Sequence, residues 1–141
     1  MIIVPFKRWQ LRWLEEGGVA LGGGNTYSLD AMTLEYLEQS RAWTGVIDGR
    51  PLACGGFMEQ WPGRTLAWMY LNRDSAPHMV SITRAVKAQL AKVKGRIEFA
   101  VRADFPAGNR WAKLLGFEVE TPIMRAYGPE GEDCIGYVRF N

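Results

Sequence analysis

The hydrophobic period changes twice between Thr65 and Val101, and those changes constrain the fold more than any other feature of the chain. Thr65–Leu71 is almost continuously apolar, as a strand covered on both faces must be. From Pro77 to Val93 the spacing becomes helical, with Met79, Ile82, Val86, Leu90 and Val93 three or four residues apart on one stripe. Arg84, Lys87 and Lys92 fall largely off that stripe. Lys94-Gly95 is a helix stop, with a cation at the negative end and a residue that tolerates the left-handed conformation. Ile97–Val101 then reads as another strand. A strand, a helix and a second strand joined this way predict a parallel pair with a right-handed crossover.

The flanking segments are shorter. Ile2–Pro5 reads as a first strand closed by its proline, Trp9–Leu14 as at least one helical turn, and Leu29–Ser40 as a second helix with Asp30 near its start. Gly17-Gly18 and Gly22-Gly23-Gly24 read as connections, because no Lys-Ser/Thr follows to grip a phosphate. Trp43–Ile47 and Pro51–Met58 flank Asp48-Gly49, a strong hairpin signal. Gly55 and Gly56 predict a bulge or a close backbone approach. Trp61-Pro62-Gly63-Arg64 turns the chain into Thr65. Asn109–Leu115 predicts a docked helix ended by Gly116. Val119–Tyr127 and Cys134–Phe140 flank Gly128-Pro129-Glu130-Gly131 as a terminal hairpin, with Pro122 giving its first arm an edge position or a bulge.

A chain of 141 residues fits one domain with its own core. Its formal charge of +2 excludes little. The basic stretch Arg84, Lys87, Lys92, Lys94 and Arg96 reads as a solvated helix face or as a patch for an anion: ligand phosphates, an acidic substrate or nucleic acid, the last needing a broader positive surface. Two cysteines, each in an apolar run, predict small buried hydrophobes in a reducing, cytoplasmic setting. No run approaches a membrane span. No residue grouping reads as a metal cage or a nucleophile triad. Six tryptophans predict a groove or contact surface built partly from Trp43 and Trp61, with Trp68 and Trp111 in the core. An exposed Trp and the terminal hairpin make a homodimer reasonable.

The element order is strand, two helices, three antiparallel strands, long helix, strand, short helix and hairpin. With Asn109-Arg110-Trp111-Ala112-Lys113-Leu114-Leu115-Gly116-Phe117, it resembles the GNAT superfamily of N-acetyltransferases over essentially the full length. The chain is also similar to small tailed-phage proteins related to GNATs and named as internal virion or assembly proteins. That second likeness rests on a similar opening and on Arg-Trp…Leu-Gly-Phe.

The resemblance implies an α/β domain (an α+β mixed sheet) over residues 1–141, the GNAT-like acyl-CoA N-acyltransferase fold. It implies acetyl-CoA as cosubstrate and direct attack by a primary amine of a small molecule or protein. By family position, Leu71 would offer backbone contacts to the pantetheine arm. The Arg73–His78 loop would cradle the pyrophosphate through Arg73, Ser75, Ala76 and His78. Phe105 stands at the position of the family's Asn, and Asn109 completes the set only if the short helix has lost about a turn. Ser75 or Asp74 is the expected helix cap.

The loop lacks the family's glycines, and Ala112 stands where many relatives place a Tyr that protonates the thiolate. These departures keep open a second class, a noncatalytic GNAT-like phage structural or assembly protein whose partner is a virion or host protein in the host cytoplasm. For acid–base work the residues offer Glu59, which could take an amine proton through water, and Tyr70, whose hydroxyl could meet the thioester. Each has a plainer alternative: an exposed hairpin charge for Glu59, a packed core ring for Tyr70.

Overall fold

The computed structural model describes residues 1–21, 31–128 and 130–141, with backbone alone at 15–21 and 31–34. The expected Gly22–Gly24 connection, the Leu29-Asp30 helix start and the turn residue Pro129 lie outside the described residues. The chain runs β1 (Ile2–Pro5), α1 (Arg8–Gly17), β2 (Gly18–Leu21), α2 (Ala31–Gln39), β3 (Arg41–Ile47), β4 (Arg50–Trp61) and β5 (Arg64–Asn72). A 3-10 helix (Arg73–His78) leads into α3 (Met79–Leu90), followed by β6 (Arg96–Arg102), α4 (Pro106–Leu114), β7 (Glu118–Met124) and β8 (Cys134–Phe140). The sheet order is β1-β3-β4-β5-β6-β8-β7, with β2 attached to β5 off that path.

Local chemistry explains most of these boundaries. Asp48 and Gly49 both take positive φ, 50° and 73°, which turns β3 into β4 with the twist a hairpin needs. Gly55 and Gly56 are close approaches rather than a bulge. A Cβ would lie 2.5 Å from Met69 Sδ at Gly55, and 2.5 Å from the Arg41 carbonyl at Gly56. The irregularity in the β3–β4 ladder falls instead between Gly45 and Val46. The edge position inferred from Pro122 holds, since β7 ends the sheet order and its register slips on both sides of Thr121.

The long helix begins later than its periodicity predicts. Residues 73–78 tighten into 3-10 geometry, and the cap is Asn72, whose Oδ1 accepts from the Asp74 N–H at 2.8 Å. Neither Ser75 nor Asp74 caps it; His78 stands at the start of α3 without a side-chain cap bond. Pro77 accounts for the shift, because it brings no N–H and disfavours helical geometry in the residue before it.

Two apolar layers cover the central strands. On one face α3 and α4 pack Ile82, Leu90, Trp111 and Ala112 against Met69, Ile97 and Val101. On the other, Phe6, Leu11, Leu14 and Leu37 pack against Trp68 and Tyr70. Gln10 ties the second layer down: its Oε1 accepts from the Lys7 N–H at 2.6 Å and from buried Thr44 Oγ1 at 2.7 Å. The reciprocal placement resembles a capping box. Trp68 and Trp111 are core, whereas Trp9, Trp13 and Trp61 are exposed.

Candidate functional site

Among the described residues the only parallel contact in the sheet joins β5 to β6, and it is short. Arg64, Thr65 and Leu66 pair with Arg96, Ile97 and Glu98, and no pairing between the two strands continues past that point. Charge fastens the joined end. Arg64 donates to both Glu98 oxygens, at 2.9 and 3.0 Å, and Arg96 Nε donates to Glu98 Oε1 at 2.7 Å. Arg96 also donates a bidentate pair to Glu120 on β7. The Arg64 guanidinium, and after it Arg96, holds the Glu98 carboxyl below the usual carboxylate range. Beyond Leu66 and Glu98 the strands part, and the opening lies beside the amino end of α3.

That opening is not empty. β4 ladders along one edge of β5 from Arg64 to Leu71. β2 ladders antiparallel along the other edge, pairing Gly18 with Asn72, Val19 with Leu71, Ala20 with Tyr70 and Leu21 with Met69. With β4 on one side, β2 occupies the edge that faces β6. The backbone of Leu71 therefore already sits between two strands. The edge of β6 away from β8 takes no strand partner beyond Glu98 among the described residues.

The expected coenzyme residues divide accordingly. Leu71, Arg73, Ser75, Ala76 and His78 lie together at the open end of β5. Arg73 and Ala76 are exposed, Ser75 is buried and His78 is half-buried. Arg73 makes no ion pair among the described residues. Several donors of the segment are engaged internally. The Asp74 N–H goes to Asn72 Oδ1, the Met79 N–H goes to the Ala76 carbonyl, and Pro77 has none.

Asn109 stands on α4, across the opening, and its amide is occupied. Nδ2 donates to the Arg102 carbonyl at 3.0 Å and to the Phe105 carbonyl at 2.8 Å, while Oδ1 accepts from Tyr137 Oη at 2.6 Å. Burial raises the Tyr137 hydroxyl above its usual pKa. Ala112, at the position of the family's Tyr, is fully buried and brings no polar side-chain atom.

Glu59 and Tyr70 are not brought together. Glu59 is exposed and faces Thr65 across the hairpin, whereas Tyr70 faces Cys54. Five strand rises separate Thr65 from Tyr70, roughly 17 Å. Side chains alternate along a strand. Tyr70 thus projects into the α1 layer with Trp68, and Glu59 projects to the α3 side.

Sequence reasoning missed β2 and Tyr137. The signal for β2 was present: Val19-Ala20-Leu21 is a short apolar run set between glycines, which fits a buried strand. Tyr137 carried only the alternation of the last strand. Among the described residues no group of His, Cys, Asp and Glu could hold a metal ion, and no helix is long and apolar enough to cross a membrane.

No family model and no curated protein matches the sequence. Solved structures do match its shape. The ribosomal-protein-S18-alanine N-acetyltransferase from Escherichia coli superposes with a TM-score of 0.69 at 15% identity, over 97% of this chain and 91% of that one. Ribosomal-protein-alanine N-acetyltransferase from Brucella melitensis gives 0.69 at 13%, over 100% of both chains. A GNAT-family acetyltransferase from Bacillus anthracis gives 0.63 at 13%, over 98% and 93%. At these identities the likeness establishes the fold: a mixed α+β sheet of the GNAT type across essentially the whole chain.

Proposed function

We propose that this GNAT-fold chain is an N-acetyltransferase that moves an acetyl group from acetyl-CoA to a primary amine. The observation that carries the reading is the parting of β5 and β6 just beyond Leu66 and Glu98, beside the start of α3. An extended pantetheine arm presents amide N–H and C=O groups that suit a strand edge, and the edge of β5 from Met69 to Asn72 would serve once β2, which now pairs with it, has left. The pyrophosphate would reach Arg73, the backbone at Ser75 and Ala76, and His78. Arg73 supplies the charge for it.

In the proposed reaction the amine nitrogen attacks the thioester carbonyl. A C–N bond forms and the C–S bond breaks, the nitrogen gives up its proton, and the coenzyme leaves as thiolate that is then protonated. Positioning and backbone polarisation of the carbonyl supply the rate. Because Glu59 and Tyr70 face opposite sides of the sheet, an acceptor approaching from one side can use at most one of them.

A second reading is favoured by one specific observation, the occupation of the β5 edge by β2. Under that reading the chain would be a noncatalytic GNAT-like phage structural or assembly protein, with a virion or host protein as its partner.

Acetyl-CoA titration separates the two. Under the transferase reading, coenzyme at 100 times its Kd adds about 2.7 kcal/mol of apparent stability, seen as a raised melting temperature, and Arg73→Glu shrinks that rise. Thiol release is then followed with polyamines, aminoglycosides and peptides, including one that begins with alanine as the E. coli and Brucella neighbours' names suggest. Tyr70→Phe or Glu59→Gln, but not both, lowers kcat by about 10²-fold or more if an acid–base group acts. A melting temperature indifferent to saturating coenzyme leaves the noncatalytic reading.

A further inference from the structure

We infer that β2 is an internal occupant of the coenzyme lane, a strand that must leave β5 before an acyl-pantetheine arm can bind. The inference rests on the proposed reading of that lane and adds how access to it is controlled.

The register carries the argument. β2 covers Met69 to Asn72, the part of β5 that β6 has left uncovered, and it stops three residues short of Leu66, where the parallel pairing ends. Its Cα partners include Leu71, the residue whose backbone the arm would use. A backbone N–H or C=O directed to β2 cannot pair with pantetheine at the same time, so the two occupants exclude each other.

β2 is also built to be displaced. It is four residues long, begins at a glycine and ladders with β5 alone among the described residues. A two-stranded pairing of that length adds little stability by itself, and elements with few cross-strand bonds open locally far more often than the whole protein unfolds. β5 keeps its full ladder to β4 when β2 departs. Opening the lane therefore leaves the sheet intact.

Two variants test this with acetyl-CoA as the probe, whose thioester leaves no free thiol to exchange with an engineered disulfide. Val19→Pro with Ala20→Pro removes two successive donors. Successive N–H groups of a strand point to opposite sides, so one of them faces β5 whichever way the ladder runs. Apparent affinity scales with the fraction of molecules whose lane is open, so this variant binds acetyl-CoA about tenfold tighter or more than the parent chain. Val19→Cys with Leu71→Cys joins a directly paired position, where the Cα separation suits a disulfide. Cys54 and Cys134 are fully buried and do not compete for the new thiols. The oxidised form loses coenzyme binding and dithiothreitol restores it.

Equal affinity in the parent, the proline variant and the oxidised form would overturn the inference while leaving the coenzyme reading standing. Binding by none of the folded forms removes the coenzyme reading, and the inference with it. If the proline variant does not fold, as circular dichroism would show, the oxidised and reduced states of the cysteine pair decide alone. Equal binding in those two states overturns the inference.

Discussion

Glu98 sits where the two parallel strands meet, and its charge state bears on whether they stay joined. Hydrogen bonds from Arg64, then Arg96, hold its carboxyl below the ordinary range. A carboxyl whose folded pKa is depressed contributes stability above its unfolded pKa and loses it as pH falls through the folded one. The melting temperature should accordingly stay flat from pH 7 to about 5 and drop below about 4.5, the upper end of the unfolded carboxylate range. Glu98→Gln lowers the melting temperature at pH 7 by a few degrees and makes the acid decline shallower, so the two curves converge at low pH. Parallel curves would show that the pairing contributes nothing. The strand read at Ile97–Val101 contains Glu98 but gives no sign of its partners, because Arg64 lies 34 residues away. Residues whose geometry is local were legible. Asp48-Gly49 needed only its own dihedral preferences, and Gly56 only the absence of a Cβ. The cap was misplaced onto Ser75 or Asp74 because the choice depends on where 3-10 geometry gives way to α.

Among the elements, α3 was readable from its stripe: Ile82, Leu90 and Val93 are buried as the period requires. β2 left a short apolar run in the sequence but no sign of its docking, because its partner lies some fifty residues on. α4 stands between these cases. Its Gly116 takes a φ of 90° and ends the helix as expected, but Asn109 binds the end of β6 and β8 rather than standing open to a ligand. The amide holds the Arg102 and Phe105 carbonyls and the Tyr137 hydroxyl, so Asn109→Ala strands partly buried polar groups. The expected cost is about 1–3 kcal/mol, read as a lower denaturation midpoint. Coenzyme affinity of the folded protein should remain within about twofold, a change worth only about 0.4 kcal/mol of binding energy. A large loss of affinity with an unchanged midpoint would restore Asn109 to the coenzyme contacts that its sequence position suggested.

Across the whole molecule, β4 and β5 carry both hydrophobic layers on opposite faces of the same backbone. Ala53 and Met69 belong to the α3 side, while Cys54, Trp68 and Tyr70 belong to the α1 side. Burial lifts the Cys54 thiol to about 12, despite a bond to Thr44 that pulls the other way. Neither layer can lose its packing without exposing strands that the other needs, so the domain should unfold in one cooperative step. Leu11→Ala on the α1 side and Leu90→Ala on the α3 side each remove a leucine that is about 1% exposed. Each should cost about 2–5 kcal/mol. Tryptophan fluorescence and far-ultraviolet circular dichroism should move together to a lower midpoint in both variants, with the denaturant slope unchanged. Native protein should expose no thiol to a disulfide reagent before that transition and both cysteines after it, because Cys54 and Cys134 lie on the shared sheet with no accessible surface. If Leu11→Ala instead split the fluorescence transition from the dichroism transition, the α1 layer would be a separately melting unit. The sheet would then be holding one core and carrying a second, and β2, which follows directly from α1, would be released by the melting of its own helix rather than by competition from a coenzyme.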